Sequence, residues 1–212
     1  MAGTDGRFGE FVTTESQLRE IVGQPSHRVL GKHLTALDGH SRAFIGRCPF
    51  VLVASADAAG HLDVSPKGDP PGFVRVLDDS TLAIPERPGN RAALTFSNLL
   101  ANPQVGLLFL IPGKDETLRA SGTAAIVRDR WLREEMAFQG KVPELALVVT
   151  LAEVFFHCAK CVVRSRLWDP AGWPALDGLP SMARAMVDAG RLAETPEEMQ
   201  ALIEKDQRER LY

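Results

Sequence analysis

The chain has 212 residues, 45% of them hydrophobic and 24% charged, with a formal net charge of −3; that suits one compact domain with a sizeable core and gives no global positive field to hold a polyanion such as DNA. No apolar run approaches the roughly 20 residues that span a bilayer, and the opening MAGTDGRFGEF lacks the basic-then-apolar order of a secretory signal, so the expected setting is cytoplasmic, with neither membrane nor nucleic acid as a partner. Three cysteines, Cys48, Cys158 and Cys161, form an odd count that argues against a disulfide framework and agrees with a reducing compartment.

The first residues, to Val12, carry glycine and charge without period and read as a loose tail. Thr14 followed by Gln17 is a capping-box pattern ahead of QLREIV, and HRVLGKHLTALD has Val29, Leu30, Leu34 and Leu37 at helical spacing, so two short helices are expected before the core. From Ala43 the texture changes to short apolar runs bounded by turn residues: AFIGR, FVLVASA, LDVSPK, FVRVL and TLAIP. The gaps are too short for crossover helices, which predicts antiparallel sheet.

After Asn90 the period switches to a helix with Ala93, Phe96 and Leu100 on one face, stopped at ANP because a residue before proline disfavours the helical region. VGLLFLI, TLRASGTAAIV and LALVVTLAEVFF then read as long strands, with DRWLREEMAF a helix between the last two. The end is helical: Ser181 caps MARAMVDA, and Thr195, Pro196 and Glu198 supply cap, first-turn proline and capping-box acid for EEMQALIEKDQRERL. The pattern is mostly β with peripheral helices and suggests a barrel. It divides into an N-terminal tail and short helices (1–40), a barrel (41–170) and a C-terminal helical extension (171–212) of one structural domain.

Two stretches point to an anion. ERPGNR (Glu86 to Arg91) opens a helix, so unpaired N–H groups and the positive end of the helix dipole face whatever lies before Asn90, and Arg87, Asn90 and Arg91 suit charge-assisted hydrogen bonds to a phosphate. A solvated turn capped by Asn90 gives the same pattern. SPKGDPPGF (Ser65 to Phe73) fixes Lys67 at a strand end before a tight turn, where it serves either a phosphate or the guarding of a sheet edge.

HCAKC offers one cysteine pair and a lone histidine, short of the four ligands of a structural zinc site, and reads as buried thiols where a strand passes into a helix, with no metal site. PGKDET is not a Walker loop, because Leu108 and Asp115 stand where Gly and Ser or Thr are required. Hydrolase-elbow, zincin and dinucleotide fingerprints are absent, and no catalytic residue is legible.

Together, SPKGDPPGFVRVLD, TLAIPERPGNR, NPQVGLLFLIPGKDETLRASGTA and FFHCAKCVVRSRLW resemble the pyridoxamine 5′-phosphate oxidase-like flavoproteins, in particular a bacterial subgroup of FMN-dependent enzymes, over Ile21 to Trp173. The resemblance implies an antiparallel, Greek-key-like split β-barrel, a homodimer, and FMN in clefts at the subunit interface. It places Ser65, Pro66 and Lys67 at the ribityl phosphate and flavin edge, Ile84 and Pro85 along the flavin, Asn90 and Arg91 on the phosphate, and Thr117 near the ring. Lys160, Arg164, Ser165 and Trp168 match a late motif that would close the cleft from the partner chain; helix-end and interface packing is the other use for such residues.

Where the subgroup continues GNRR and then an acidic residue, this chain has Ala92 and Leu94, which implies weaker hold on a phosphate. The implied activity is FMN-dependent oxidoreduction of a small-molecule substrate by an electron donor that the sequence does not name. The alternatives are a non-catalytic flavin-binding or storage protein, or a binder of haem or deazaflavin on the same barrel. Oxidation of pyridoxamine phosphate itself is the weakest reading, because the end AETPEEMQALIEKDQRERLY is acidic where those oxidases place an Arg and a His.

Overall fold

The computed structural model describes residues 6–212; of the expected tail, residues 1–5 lie outside the described residues. The chain divides into a small unit ending at His33 and a large one, Leu34–Tyr212. In the small unit α1 (Glu15–Val22) begins with the expected capping box: Thr14 Oγ1 accepts from the Gln17 N–H at 3.2 Å, and Gln17 Oε1 accepts from the Thr14 N–H at 3.3 Å. The second predicted helix is only one turn, α2 (His27–Leu30), ended at Gly31. Beyond it HLTALD is not helical. Within the large unit the Leu34 N–H donates to Val154 O at 3.0 Å and Leu34 O accepts from the Val154 N–H at 2.8 Å, a bridge that satisfies its backbone better than further helix would.

The first element of the large unit corrects the reading of AFIGR as a strand. It lies in α3 (Gly39–Ile45), nucleated by Asp38, whose Oδ1 accepts from the Ser41 N–H and from Ser41 Oγ, both at 2.7 Å. Consecutive Phe44 and Ile45 are both buried, which a half-exposed strand cannot do, and Phe44 meets Phe156 edge-on at 5.5 Å.

Seven strands follow: β1 (Phe50–Ala56), β2 (Leu62–Gly68), β3 (Arg75–Val76), β4 (Thr81–Pro85), β5 (Gln104–Leu110), β6 (Thr117–Val127) and β7 (Ala146–His157). All pair antiparallel in the order β2-β1-β5-β6-β7-β4-β3. β3 keeps only two residues of FVRVL, because the Gly-Asp-Pro-Pro-Gly turn sends Phe73 and Val74 into the core before pairing begins. Strict alternation puts Val51, Val53, Leu107, Phe109, Leu118 and Val149 on one inner face, where Ile84 and Leu82 of β4 meet them in a continuous core. The sheet curls without closing in a ladder: β2 and β3 remain edges, yet Lys67 of β2 and Glu86 just after β4 form an ion pair at 3.0 Å. That is a split barrel.

α4 (Leu94–Ala101) is inserted between β4 and β5 and stops at Asn102-Pro103 as expected. Its buried residues are Thr95, Phe96 and Leu99, whereas Ala93 and Leu100 of the expected face are exposed, because the helix starts three residues later than the charge pattern suggested. α5 (Arg130–Glu135) seals a satellite cluster of Ala83, Leu132, Met136 and Ala146. α6 (Lys160–Ser165) follows β7, and α7 (Met182–Gly190) and α8 (Pro196–Glu209) pack together at the end, capped by Ser181 and by the predicted Thr195/Glu198 box.

A candidate anion and flavin cleft

The two strand ends that the curled sheet brings together, with the loop before α4, enclose a cleft of about 1080 Å³. Of the residues expected to hold a cofactor, Ser65, Pro66, Lys67, Pro85, Asn90 and Arg91 line it. Half-buried Ser65 and Lys67 alternate with the exposed Val64 and Pro66 along β2, and all four residues of this edge strand line the cleft. α4 fixes this wall from behind. Asn98 Nδ2 donates to Ser55 Oγ at 3.1 Å, and Thr95 Oγ1 donates to Asp63 Oδ2 at 3.5 Å.

The charges inside the cleft are not equivalent. Lys67 Nζ is paired with Glu86 and lies 5.6 Å from the centre of the Phe96 ring. Arg87 Nε holds Asp69 Oδ2 at 2.6 Å, with the Asp69 side chain 1% exposed, and its Nη2 donates to Met136 O at 2.9 Å. Arg87 is therefore a clamp between the β2–β3 turn and the α5 end, which corrects its reading as a phosphate ligand: a buried aspartate left alone would be costly. Arg91 is exposed and makes no ion pair among the described residues. It is a cation available to a ligand, as is Lys141 of the lining, which is likewise exposed and in no ion pair among the described residues.

The backbone of this loop is strained. Arg91 has φ 63° and Ala93, the N-cap of α4, has φ 50° and ψ 28°, two left-handed non-glycine residues within three positions. Each such residue costs roughly 1–2 kcal/mol, and such costs gather where a loop must present groups to a ligand. Asn90 Oδ1 accepts from the Ala92 N–H at 3.0 Å, which turns the chain and leaves the Asn90 amide donors over. Asn90 thus shapes the loop instead of capping the helix. The first N–H groups of α4 have no intrahelical acceptor and face the same end.

The remaining expected residues lie elsewhere in the chain. Ile84 is 2% exposed, its side chain belongs to the core, and it does not line the cleft. Thr117 is buried opposite His157 at the start of β6. Next to that pairing, Lys160 and Arg164 are exposed on α6, Ser165 Oγ donates to Val162 O at 3.0 Å, and Trp168 Nε1 donates to Lys114 O at 2.9 Å. These five form a second group at the β6–β7 end, none of them lining the cleft of the same chain. Cys158 and Cys161 stand where β7 passes to α6, as expected, but they are exposed, not buried. Cys48 is the buried thiol, and desolvation pushes its pKa up. Among the described residues no cluster of three or more His, Cys, Asp or Glu is placed to hold a metal ion, and no helix is long and apolar enough to cross a membrane.

Sequence reasoning missed four residues here: Asp69, Glu86, Arg210 and Tyr212. Arg210 Nη2 donates to Gly89 O at 3.0 Å, and Tyr212 OH donates to Asp69 Oδ1 at 2.9 Å across 143 positions of chain. The acids sat inside the quoted motifs, but each pairs with the basic residue of the other motif, Asp69 with Arg87 and Glu86 with Lys67, which a linear reading does not show. Arg210 and Tyr212 carried no local signal.

A family model described as pyridoxamine 5′-phosphate oxidase matches residues 37–158, more than half of the 212. A comparison with curated proteins finds no match. Among solved structures, the chain is similar to HupZ of Group A Streptococcus (19% identity, 57% of this chain and 93% of that one, TM-score 0.47). It is also similar to an FMN-binding protein from Syntrophomonas wolfei (11%, 55% and 88%, TM-score 0.42) and to HutZ, a haem storage protein from Vibrio cholerae (16%, 56% and 93%, TM-score 0.40). FMN in one and haem in another belong to those proteins.

Proposed function

The chain belongs to the pyridoxamine 5′-phosphate oxidase family, and from that premise we propose that it is an FMN-dependent oxidoreductase acting on a small molecule, with the flavin held in the cleft between β2 and the loop before α4. The observation that carries this reading is the strained loop at the cleft: Arg91 unpaired, Asn90 turned, and the α4 N–H groups open, a donor set suited to a phosphate dianion. A cleft of about 1080 Å³ has room for a three-ring system besides the phosphate. Haem fits this donor set less well: it needs an axial ligand, no described residue lining the cleft is His, Cys or Met, and the hydroxyl of Tyr212 is committed to Asp69.

Bound flavin would supply hydride transfer at its N5, while the chain supplies position and field. Arg91 would neutralise the phosphate, Lys67 would lie at the ribityl phosphate and flavin edge, and Glu86 would hold the Lys67 ammonium in place. Phe96 and Pro85 give the cleft apolar wall that excludes water.

A second copy of the chain is part of this proposal. The outer face of the sheet is apolar as well: Leu52 of β1 stands beside Pro66 of β2 and Leu108 of β5, and Ala54 beside Val64. A face of that kind calls for cover, and a two-fold partner brings its Thr117, Lys160, Arg164, Ser165 and Trp168 group toward the cleft that lacks it. The test of activity is anaerobic reduction of the FMN-loaded protein by NADH, NADPH or a screened set of amines and quinols. Bleaching of the flavin band and its return with an acceptor are expected; flavin that no donor reduces would mark a flavin store instead.

A further inference from the structure

Arg210 and Tyr212 reach the cleft from beyond the end of α8, and their contacts go to its two walls separately. Tyr212 OH donates to Asp69, in the turn after β2, while its ring lies 4.9 Å from Phe138 and 5.7 Å from the Arg87 guanidinium. Arg210 donates to Gly89 O, inside the loop that carries Asn90 and Arg91, and is held in turn by Asp206 of α8 at 2.6 Å. Asp69 is thus shared: Oδ2 takes Arg87 and Oδ1 takes Tyr212. The cleft remains open at about 1080 Å³ with both residues seated as part of its lining, so they form wall and do not plug it.

We infer that Arg210 and Tyr212 are positioning residues of this cleft, a strap that ties the β2–β3 turn to the 86–93 loop and holds that loop in the shape that receives an anionic group. The inference rests on the flavin reading only for the identity of the ligand. It has a physical logic: two left-handed residues in the loop are unfavourable on their own, and the strap supplies contacts that keep them in place. The tyrosine is also marked electrostatically. Burial first, and then the Asp69 carboxylate, raise its pKa, with Arg87 opposing. A raised tyrosine pKa means that the docked strap is favoured while the phenol is protonated and is weakened as pH rises through that raised value.

Tyr212 is the only tyrosine of the chain, so 3-fluorotyrosine incorporation places one ¹⁹F label at this site and nowhere else. In the full-length protein without ligand, the ¹⁹F resonance should titrate at higher pH than in the same chain unfolded in urea, and it should shift on addition of FMN. Tyr212→Phe should weaken FMN about tenfold, the loss of one hydrogen bond to a charged group, and leave the affinity for riboflavin, which has no phosphate, unchanged. Equal losses for both flavins, or none for either, would overturn the inference. So would a tyrosine that titrates as in the unfolded chain. If the wild-type protein binds neither flavin, the flavin reading fails by itself, and inorganic phosphate decides the strap: movement of the ¹⁹F resonance by phosphate, reduced in Arg210→Ala, supports it, and an unmoved resonance overturns it.

Discussion

Lys67, Arg87 and Arg91 are three cations of one cleft with three different duties, and partner geometry separates them. Arg87 is consumed by a buried aspartate, Lys67 is tethered to Glu86, and Arg91 stands unpaired in a left-handed conformation. Charge-assisted hydrogen bonds to a phosphate are worth roughly 1.5–3 kcal/mol each. Lys67→Ala and Arg91→Ala should therefore each weaken FMN by about 10- to 100-fold and leave the thermal midpoint nearly unchanged, because neither side chain supports the core. Equilibrium titration followed by flavin fluorescence checks this; stoichiometric flavin retained by the double variant would remove the site from these residues. The basic residues of ERPGNR and SPKGDPPGF were visible in the sequence as candidate ligands. Their division of labour was not, since it depends on Asp69 and Glu86, acids that a linear reading takes as solvated turn residues.

At the scale of elements, β6 and β7 form the longest ladder and carry its one irregularity, a register shift between Ser121 and Gly122. A Cβ on Gly122 would lie 1.9 Å from Thr150 O, a backbone atom, so the ladder itself would have to move. Gly122→Ala should destabilise the protein by about 2–3 kcal/mol, read as a lower urea midpoint at unchanged slope; an unchanged midpoint would show that the bulge relaxes freely. The long strands and capped helices were legible because alternation, capping boxes and a Pro stop are local signals. α3 was not: three consecutive apolar residues in AFIGR fit a buried strand as well as a short helix, and only the Asp38 cap, with Ser41 turned onto it, decides. The start of α4 was misplaced for a related reason. Asn90 looks like a cap but makes its hydrogen bond to Ala92, and the true N-cap is an alanine that no propensity scale would choose.

For the whole molecule, the split sheet explains why the cleft exists at all. A closed barrel would pair β2 with its far edge through backbone bonds, whereas here the edges meet through Lys67 and Glu86, and the gap is left for a ligand. The same sheet is apolar on its outer face around Leu52, Val64 and Leu108, and the second group around Thr117 and α6 lies outside the cleft of its own chain. Both features are accounted for by a two-fold pair, and sedimentation equilibrium should give a dimer of the 212-residue chain, dissociated by Val64→Glu; a monomer at micromolar concentration would contradict the shared site. Contacts of residues 210–212 with the cleft span the length of the large unit and were beyond any local pattern.

The central claim is that the loop before α4 and the end of β2 hold the phosphate of FMN. The most direct test is to titrate the dialysed protein with FMN and, in parallel, with riboflavin, following the visible absorption, and to identify the chromophore released by acid. The account predicts perturbed flavin bands that saturate at one FMN per chain, FMN in the acid supernatant, and riboflavin bound at least tenfold more weakly, the share of one charge-assisted phosphate contact. Equal affinity for the two flavins, or a protein that leaves the FMN spectrum unaltered, would contradict it.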